Sequence, residues 1–181
     1  MTTVLRETKE TTIRIELARG SGRVRAETGE RFLDHMLVTL GRYAGLDLAV
    51  EARGDLRHHL IEDVAIALGA GLAAFVPPTC ARYGDRVVPM DEALVHVAID
   101  IGGRAYYAGR LPSGLYDHWF RSFADHARAT LHVRVLRGRD RHHIVEAAFK
   151  ALGLALRQAL AEGEGGAVFS TKGAVATKVT P

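Results

Sequence analysis

The feature that most constrains this chain is a repeat within it. Residues 50–62 lie over residues 134–146 at an offset of 84, and each copy ends in one signature: His58-His59-Leu60-Ile61-Glu62 and His142-His143-Ile144-Val145-Glu146. The register runs on without a gap, with Ala67-Leu68-Gly69 over Ala151-Leu152-Gly153 and Leu72 over Leu156. A chain with such self-similarity builds one supersecondary unit twice. Hydrophobic periodicity gives that unit. In the first half, 12–17, 23–27 and 47–53 alternate as strands, while 32–43 and 60–74 carry helical spacing. In the second, 93–100, 104–108 and 130–137 read as strands, and 116–128 and 144–161 as helices.

Each half therefore reads ββαβα. The pattern predicts an α+β fold, two repeated halves forming a two-layer sandwich of sheet and helix. A unit of about eighty residues buries only a modest core. The expectation is a single domain over 1–181, with half 1 at about 1–75, half 2 at about 87–165 and a C-terminal tail at 166–181. Pro77-Pro78 ends the last helix of the first half. The apolar helix at 60–74 offers little polar surface, so association into a homo-oligomer is expected.

Charge and cysteine use narrow the function classes. A net charge of +3 is too small to argue for nucleic acid. Apolar runs are too short for a membrane span, and the N-terminus is polar, so neither a membrane partner nor a secretory signal is expected. The single cysteine, Cys80, excludes an intramolecular disulfide and fits a reducing, cytoplasmic setting.

The paired histidines carry the chemistry. At a helix start, residues four apart share a face, so His58 and Glu62 can meet one metal. His59 is rotated by about 100° and points elsewhere. Two such motifs, with His35 in Asp34-His35 and His132 on the strand before the second motif, make six histidines and two glutamates. His35, His58, His59, Glu62, His132, His142, His143 and Glu146 could ligate two metals. His35 taken alone reads equally as a core histidine. Imidazole with carboxylate suits Mn, Fe, Zn, Co or Ni, and the lack of cysteine ligands argues against a structural zinc. His96, His118 and His126 read as structural or exposed. A second group, Arg82, Arg104, Lys150, Ser170 and Lys172, has the chemistry to bind phosphate, but spacing alone does not join its members.

Taken together the chain resembles the imidazoleglycerol-phosphate dehydratase family. The likeness runs through Arg6-Glu7-Thr8-Lys9-Glu10-Thr11, Thr28-Gly29, Phe32-Leu33-Asp34-His35-Met36-Leu37 and His58-His59-Leu60-Ile61-Glu62-Asp63. It continues through Pro89-Met90-Asp91-Glu92-Ala93-Leu94, Leu131-His132, the segment from His142 to Ala151, and Ser170-Thr171-Lys172-Gly173. The resemblance implies dehydration of imidazole glycerol phosphate to imidazole acetol phosphate in histidine biosynthesis. It implies two Mn²⁺ per site, with the substrate's imidazole held between them. By match to the motifs, Glu10 becomes the candidate general acid/base. Arg82, Arg104, Lys150, Ser170 and Lys172 take phosphate-binding positions. Trimers assembled into a 24-subunit particle, with sites between subunits, are implied as well. The chain departs from the family pattern at Tyr43, where histidine is usual, at Arg57, where aspartate is usual, and at Ala105, where proline is usual. Its loop before His58 and its segment 104–123 look shortened.

Two rival readings come from other classes. A dinuclear metallohydrolase of a phosphate ester would use the same ligands and release inorganic phosphate. A non-catalytic RNA-binding module would interleave aromatics with basic residues, but the basic stretch 134–141 has none, and that reading leaves the paired histidines unexplained.

Overall fold

The structure is a computed structural model and describes residues 1–163. Its elements run β1 Thr2–Glu7, β2 Thr11–Arg19, β3 Val24–Glu27, α1 Arg31–Ala44, β4 Leu46–Gly54 and α2 Arg57–Phe75. The second half gives β5 Tyr83–Met90, β6 Ala93–Asp100, β7 Tyr106–Ala108, α3 Gly114–His126, β8 Thr130–Arg137 and α4 Arg141–Ala159. The α+β fold of two matched sheet-and-helix halves is present. Each half carries one strand more than the sequence pattern suggested, at its leading edge. β1 alternates only weakly, and β5 contains Gly84 and Pro89. Proline is tolerated in an edge strand, where a missing N–H costs no ladder bond.

The two sheets have one topology, β1-β2-β4-β3 and β5-β6-β8-β7. Their first three strands pair antiparallel, while β3 lies parallel to β4 and β7 parallel to β8. A parallel pair needs a crossover, which α1 and α3 supply. Register places Ile13, Ile15 and Leu17 opposite Ala52, Val50 and Leu48, all buried, while Thr12, Arg14 and Arg53 face out. Val97 and Ile99 meet Val133 and Leu131 in the same way.

The helices cover the inner face of each sheet and meet across the halves, α1 on α4 and α2 on α3. One hydrophobic cluster runs through both halves. Helix α2 is long and apolar enough to cross a membrane, but Ile61, Val64, Ala65, Ala67 and Leu72 are buried in this core.

Two repeat-related glycines set the helix approach. A Cβ on Gly153 would lie 2.7 Å from Tyr43 Cβ and 2.9 Å from the Leu40 carbonyl on α1. On Gly69 it would lie 2.6 Å from the Phe123 carbonyl on α3. Backbone cannot yield as a flexible side chain can. Alanine gains up to about 1 kcal/mol in helix propensity over glycine, while overpacking costs about 1–3 kcal/mol. Gly153→Ala is therefore expected to lower the melting temperature by several degrees. A thermal melt at or above the parent's would contradict this packing.

Candidate metal centre

The crossing of helices brings chemistry from both halves together. On α4, His142 Nε2 lies 3.0 Å from Glu146 Oε2, the i,i+4 pair that the motif predicts. His35 Nε2, from α1 of the other half, lies 3.2 Å from the same oxygen. On α2, His58 Nε2 lies 3.3 Å from Glu62 Oε2, and His118 Nε2, from α3, lies 3.0 Å from Glu62 Oε1. In each trio the ligand atoms lie within 4.8 Å of one another. The chain thus builds the same two-histidine, one-carboxylate trio twice, each taking one histidine from the opposite half.

His118 was expected to be structural or exposed. It instead matches His35. Asp34-His35 on α1 has its counterpart in Asp117-His118 on α3, at an offset of 83 rather than 84. The aspartates do the same work. Asp34 Oδ1 accepts from the Thr28 amide and hydroxyl, and Asp117 Oδ1 accepts from the Leu111 amide and the Tyr107 hydroxyl. Each ties the loop ahead of its helix to the helix's first turn.

The second histidine of each motif turns away from its trio. The ring planes of His58 and His59 differ by 82°, and those of His142 and His143 by 90°. His59 Nδ1 lies 2.9 Å from Asp55 Oδ1 and 3.5 Å from Glu10 Oε2. His143 Nδ1 lies 2.7 Å from Glu92 Oε2. Hydrogen bonds to Asp55 and Glu92 raise the two imidazole pKa values, and the His143 bond with the Asp140 and Arg139 amides draws the Glu92 carboxyl down to about 2. Glu10 sits in the β1–β2 turn, where Thr8 Oγ1 accepts from the Glu10 and Thr11 amides. The turn is anchored to α2 because Arg6 and Thr11 both donate to Asp63.

Glu146 is the one buried member of its trio, 7% exposed, while His35 and His142 open to solvent. Burial pushes its carboxyl upward, but hydrogen bonds from Lys150 and His35 overcome this and leave the pKa below the ordinary carboxylate value. Lys150 Nζ lies 3.0 Å from Glu146 Oε1, with its charge 6.0 Å from the Tyr43 ring centre.

The other candidates fall elsewhere within one chain. His132 faces out from β8 beside Tyr106, with ring centres 5.7 Å apart, and joins neither trio. It lines a surface pocket of about 280 Å³ with Tyr83, Asp100 and Thr130. Arg82 grips Asp100 through two bonds of 2.7 and 2.9 Å. Arg104, which is exposed, is near enough to act on the Asp100 carboxylate. Arg57 makes a bidentate pair with Glu30, so this departure from the family pattern carries its own counter-charge. Ser170 and Lys172 lie outside the described residues.

The family model that matches is imidazoleglycerol-phosphate dehydratase, over residues 28–156. The imidazoleglycerol-phosphate dehydratase of Pyrobaculum aerophilum is 49% identical over 93% of this chain and 97% of its own. That of an Anaeromyxobacter species is 46% identical over 94% of this chain and 91% of its own. Among solved structures, the Pyrococcus furiosus protein is similar with a TM-score of 0.84 at 40% identity, covering 94% of this chain and 99% of that one. The Staphylococcus aureus imidazoleglycerol-phosphate dehydratase gives 0.77 at 34% identity, covering 88% and 99%. Matched in family, sequence and fold over most of its length, the chain belongs to the imidazoleglycerol-phosphate dehydratase family of hydro-lyases.

Proposed function

We propose that this chain dehydrates imidazole glycerol phosphate to imidazole acetol phosphate in histidine biosynthesis, using two divalent metals, Mn²⁺ by family resemblance. The observation that carries this reading is the pair of matched trios, His35–His142–Glu146 and His58–Glu62–His118, in a chain of this family. Imidazole nitrogen with one carboxylate oxygen is a donor set that fits Mn²⁺. His59 and His143, with Nδ1 bonded to carboxylates, hold Nε2 as the remaining ring donor.

The reaction removes a hydrogen from the carbinol carbon next to the one that bears both the ring and the departing hydroxyl. The resulting enol becomes the ketone. That hydrogen is not acidic, so the residues must favour electron flow toward the imidazole. A bound divalent metal supplies Lewis-acid charge for this. Glu10, exposed beside His59, is our candidate for proton transfer. Arg82, Arg104, Lys150, Ser170 and Lys172 would hold the phosphate and so orient the two carbons. Arg82 stands immediately ahead of β5 and Arg104 in the loop between β6 and β7, while Lys150 stands on α4 beside Glu146. A homo-oligomer, a 24-mer of trimers in the family manner, would let one chain's arginines and His132 serve another chain's trios. The single domain spans both halves and the 166–181 tail, and we place the enzyme in the cytoplasm.

Product analysis separates this from the hydrolase reading. With Mn²⁺ and imidazole glycerol phosphate, the expected product is a ketone that retains its phosphate. Release of inorganic phosphate without ketone would contradict the proposal.

A further inference from the structure

Glu92 stands in the two-residue Asp91-Glu92 turn between β5 and β6. The repeat explains why it is needed. In the first half, the carboxylate on His59 Nδ1 comes from Asp55, four residues earlier. The repeat places Arg139 at the position of Asp55, so the second half has no carboxylate there. Yet His143 Nδ1 has one, and it arrives from another element. Glu92, in the β5–β6 turn, reaches across to it at 2.7 Å.

The other Glu92 oxygen is also committed. Oε1 accepts from the Arg139 and Asp140 amides at 3.0 and 2.8 Å, immediately ahead of α4. Those amides fix which oxygen faces which group. An ionised carboxylate only accepts, so His143 must carry its proton on Nδ1. In the neutral ring Nε2, which lies 3.6 Å from Asp91 Oδ2, then carries the lone pair, the form a metal requires.

We propose that Glu92 is a positioning residue: it replaces the missing aspartate of the second repeat and locks His143 in the Nδ1–H tautomer, with Nε2 presented as a ligand. The ligand role of His143 rests on the proposed function above, but the tautomer does not.

Glu92→Gln makes the sharp test. The amide has one oxygen and one NH₂. If the oxygen keeps the two backbone bonds, the NH₂ faces Nδ1 and demands an acceptor there. His143 then moves its proton to Nε2 and loses its donor. Glu92→Ala merely frees the ring while losing both backbone bonds. A purely structural Glu92 would make Ala the worse variant by every measure. The positioning role predicts a split: Ala gives the lower melting temperature, while Gln binds Mn²⁺ at least as weakly as Ala, about 10–100-fold below the parent.

Two measurements on the full-length, metal-free protein decide it. Solid-state ¹⁵N spectra of histidine-labelled protein read the His143 tautomer, assigned by its loss in His143→Asn. Mn²⁺ affinity is read from the free-ion electron paramagnetic resonance signal. An Nε2–H signal in Glu92→Gln with weakened Mn²⁺ binding supports the proposal. An unchanged Nδ1–H tautomer, or parental Mn²⁺ affinity, overturns it. If the parent takes up no Mn²⁺, the metal reading fails by itself, and the tautomer spectrum still decides the role of Glu92.

Discussion

Glu146→Gln is expected to cut turnover by about 100-fold or more and to lower bound metal with it, since even outer-shell changes cost about 10–100-fold. The reason lies in what the carboxylate serves. Its Oε2 is shared by His35 and His142 at 3.2 and 3.0 Å, and its Oε1 holds Lys150 at 3.0 Å. Glutamine has nearly the same shape, but it removes the charge. The Lys150 ammonium, with 19% of its side chain exposed, is then left without its counter-ion. Breaking one side of a buried ion pair costs about 3–5 kcal/mol, and this pair, only partly shielded, should lie below that range. The effect should therefore fall mainly on metal content and rate rather than on folding. Metal analysis beside steady-state kinetics checks it. Full metal with full activity in a folded variant would remove Glu146 from the site.

Trp119→Ala is expected to carry the largest cost in stability. Trp119 is fully buried at the centre of an aromatic cluster. Its ring centre lies 4.6 Å from Phe149, 5.3 Å from Phe120 and 5.3 Å from Phe123, stacked on the last within 5°. The Phe149 contact joins α3 to α4, while Phe120 and Phe123 lie on α3 itself. Truncating a buried tryptophan costs about 3–5 kcal/mol in lost transfer and cavity energy. For a chain of this length that is a fall of roughly 10 °C in melting temperature. The indole N–H has no partner among the described residues, so no hydrogen bond to them is lost in the change. Trp119→Phe, which retains most of the apolar volume, should recover much of the difference. A melt within two degrees of the parent for the alanine variant (roughly 1 kcal/mol or less) would contradict this reading of the core.

Much of this architecture is legible in the sequence. Hydrophobic period gave the helices, because α1 buries Leu33, Met36, Leu37 and Leu40 at helical spacing. The repeat gave the duplication and placed His58, Glu62, His142 and Glu146 in pairs. Edge strands were less visible. Such strands bury one face at most, so β1 shows only partial burial, and Pro89 masks β5 as a loop. His118 was missed for a different reason. Its motif repeats at 83 residues, so a strict offset of 84 passes over it, although Asp-His occurs twice. No sequence spacing could show that Glu92 stands in for Asp55. That relation depends on the β5–β6 turn approaching the start of α4, a tertiary contact. Nor could spacing join Arg82 and Arg104 to the trios. Within one chain they lie in the loops ahead of β5 and β7, off the helices that carry the clustered histidines, and Ser170 and Lys172 lie outside the described residues.

In the proposed reaction, two equivalent metal sites drive the dehydration. Its most direct test is titration of Mn²⁺ into chelated, full-length protein, with turnover of imidazole glycerol phosphate followed at each addition. Negligible turnover is expected after chelation, with recovery that saturates at two Mn²⁺ per chain. Undiminished turnover in the chelated protein, or recovery without uptake of Mn²⁺, would contradict it.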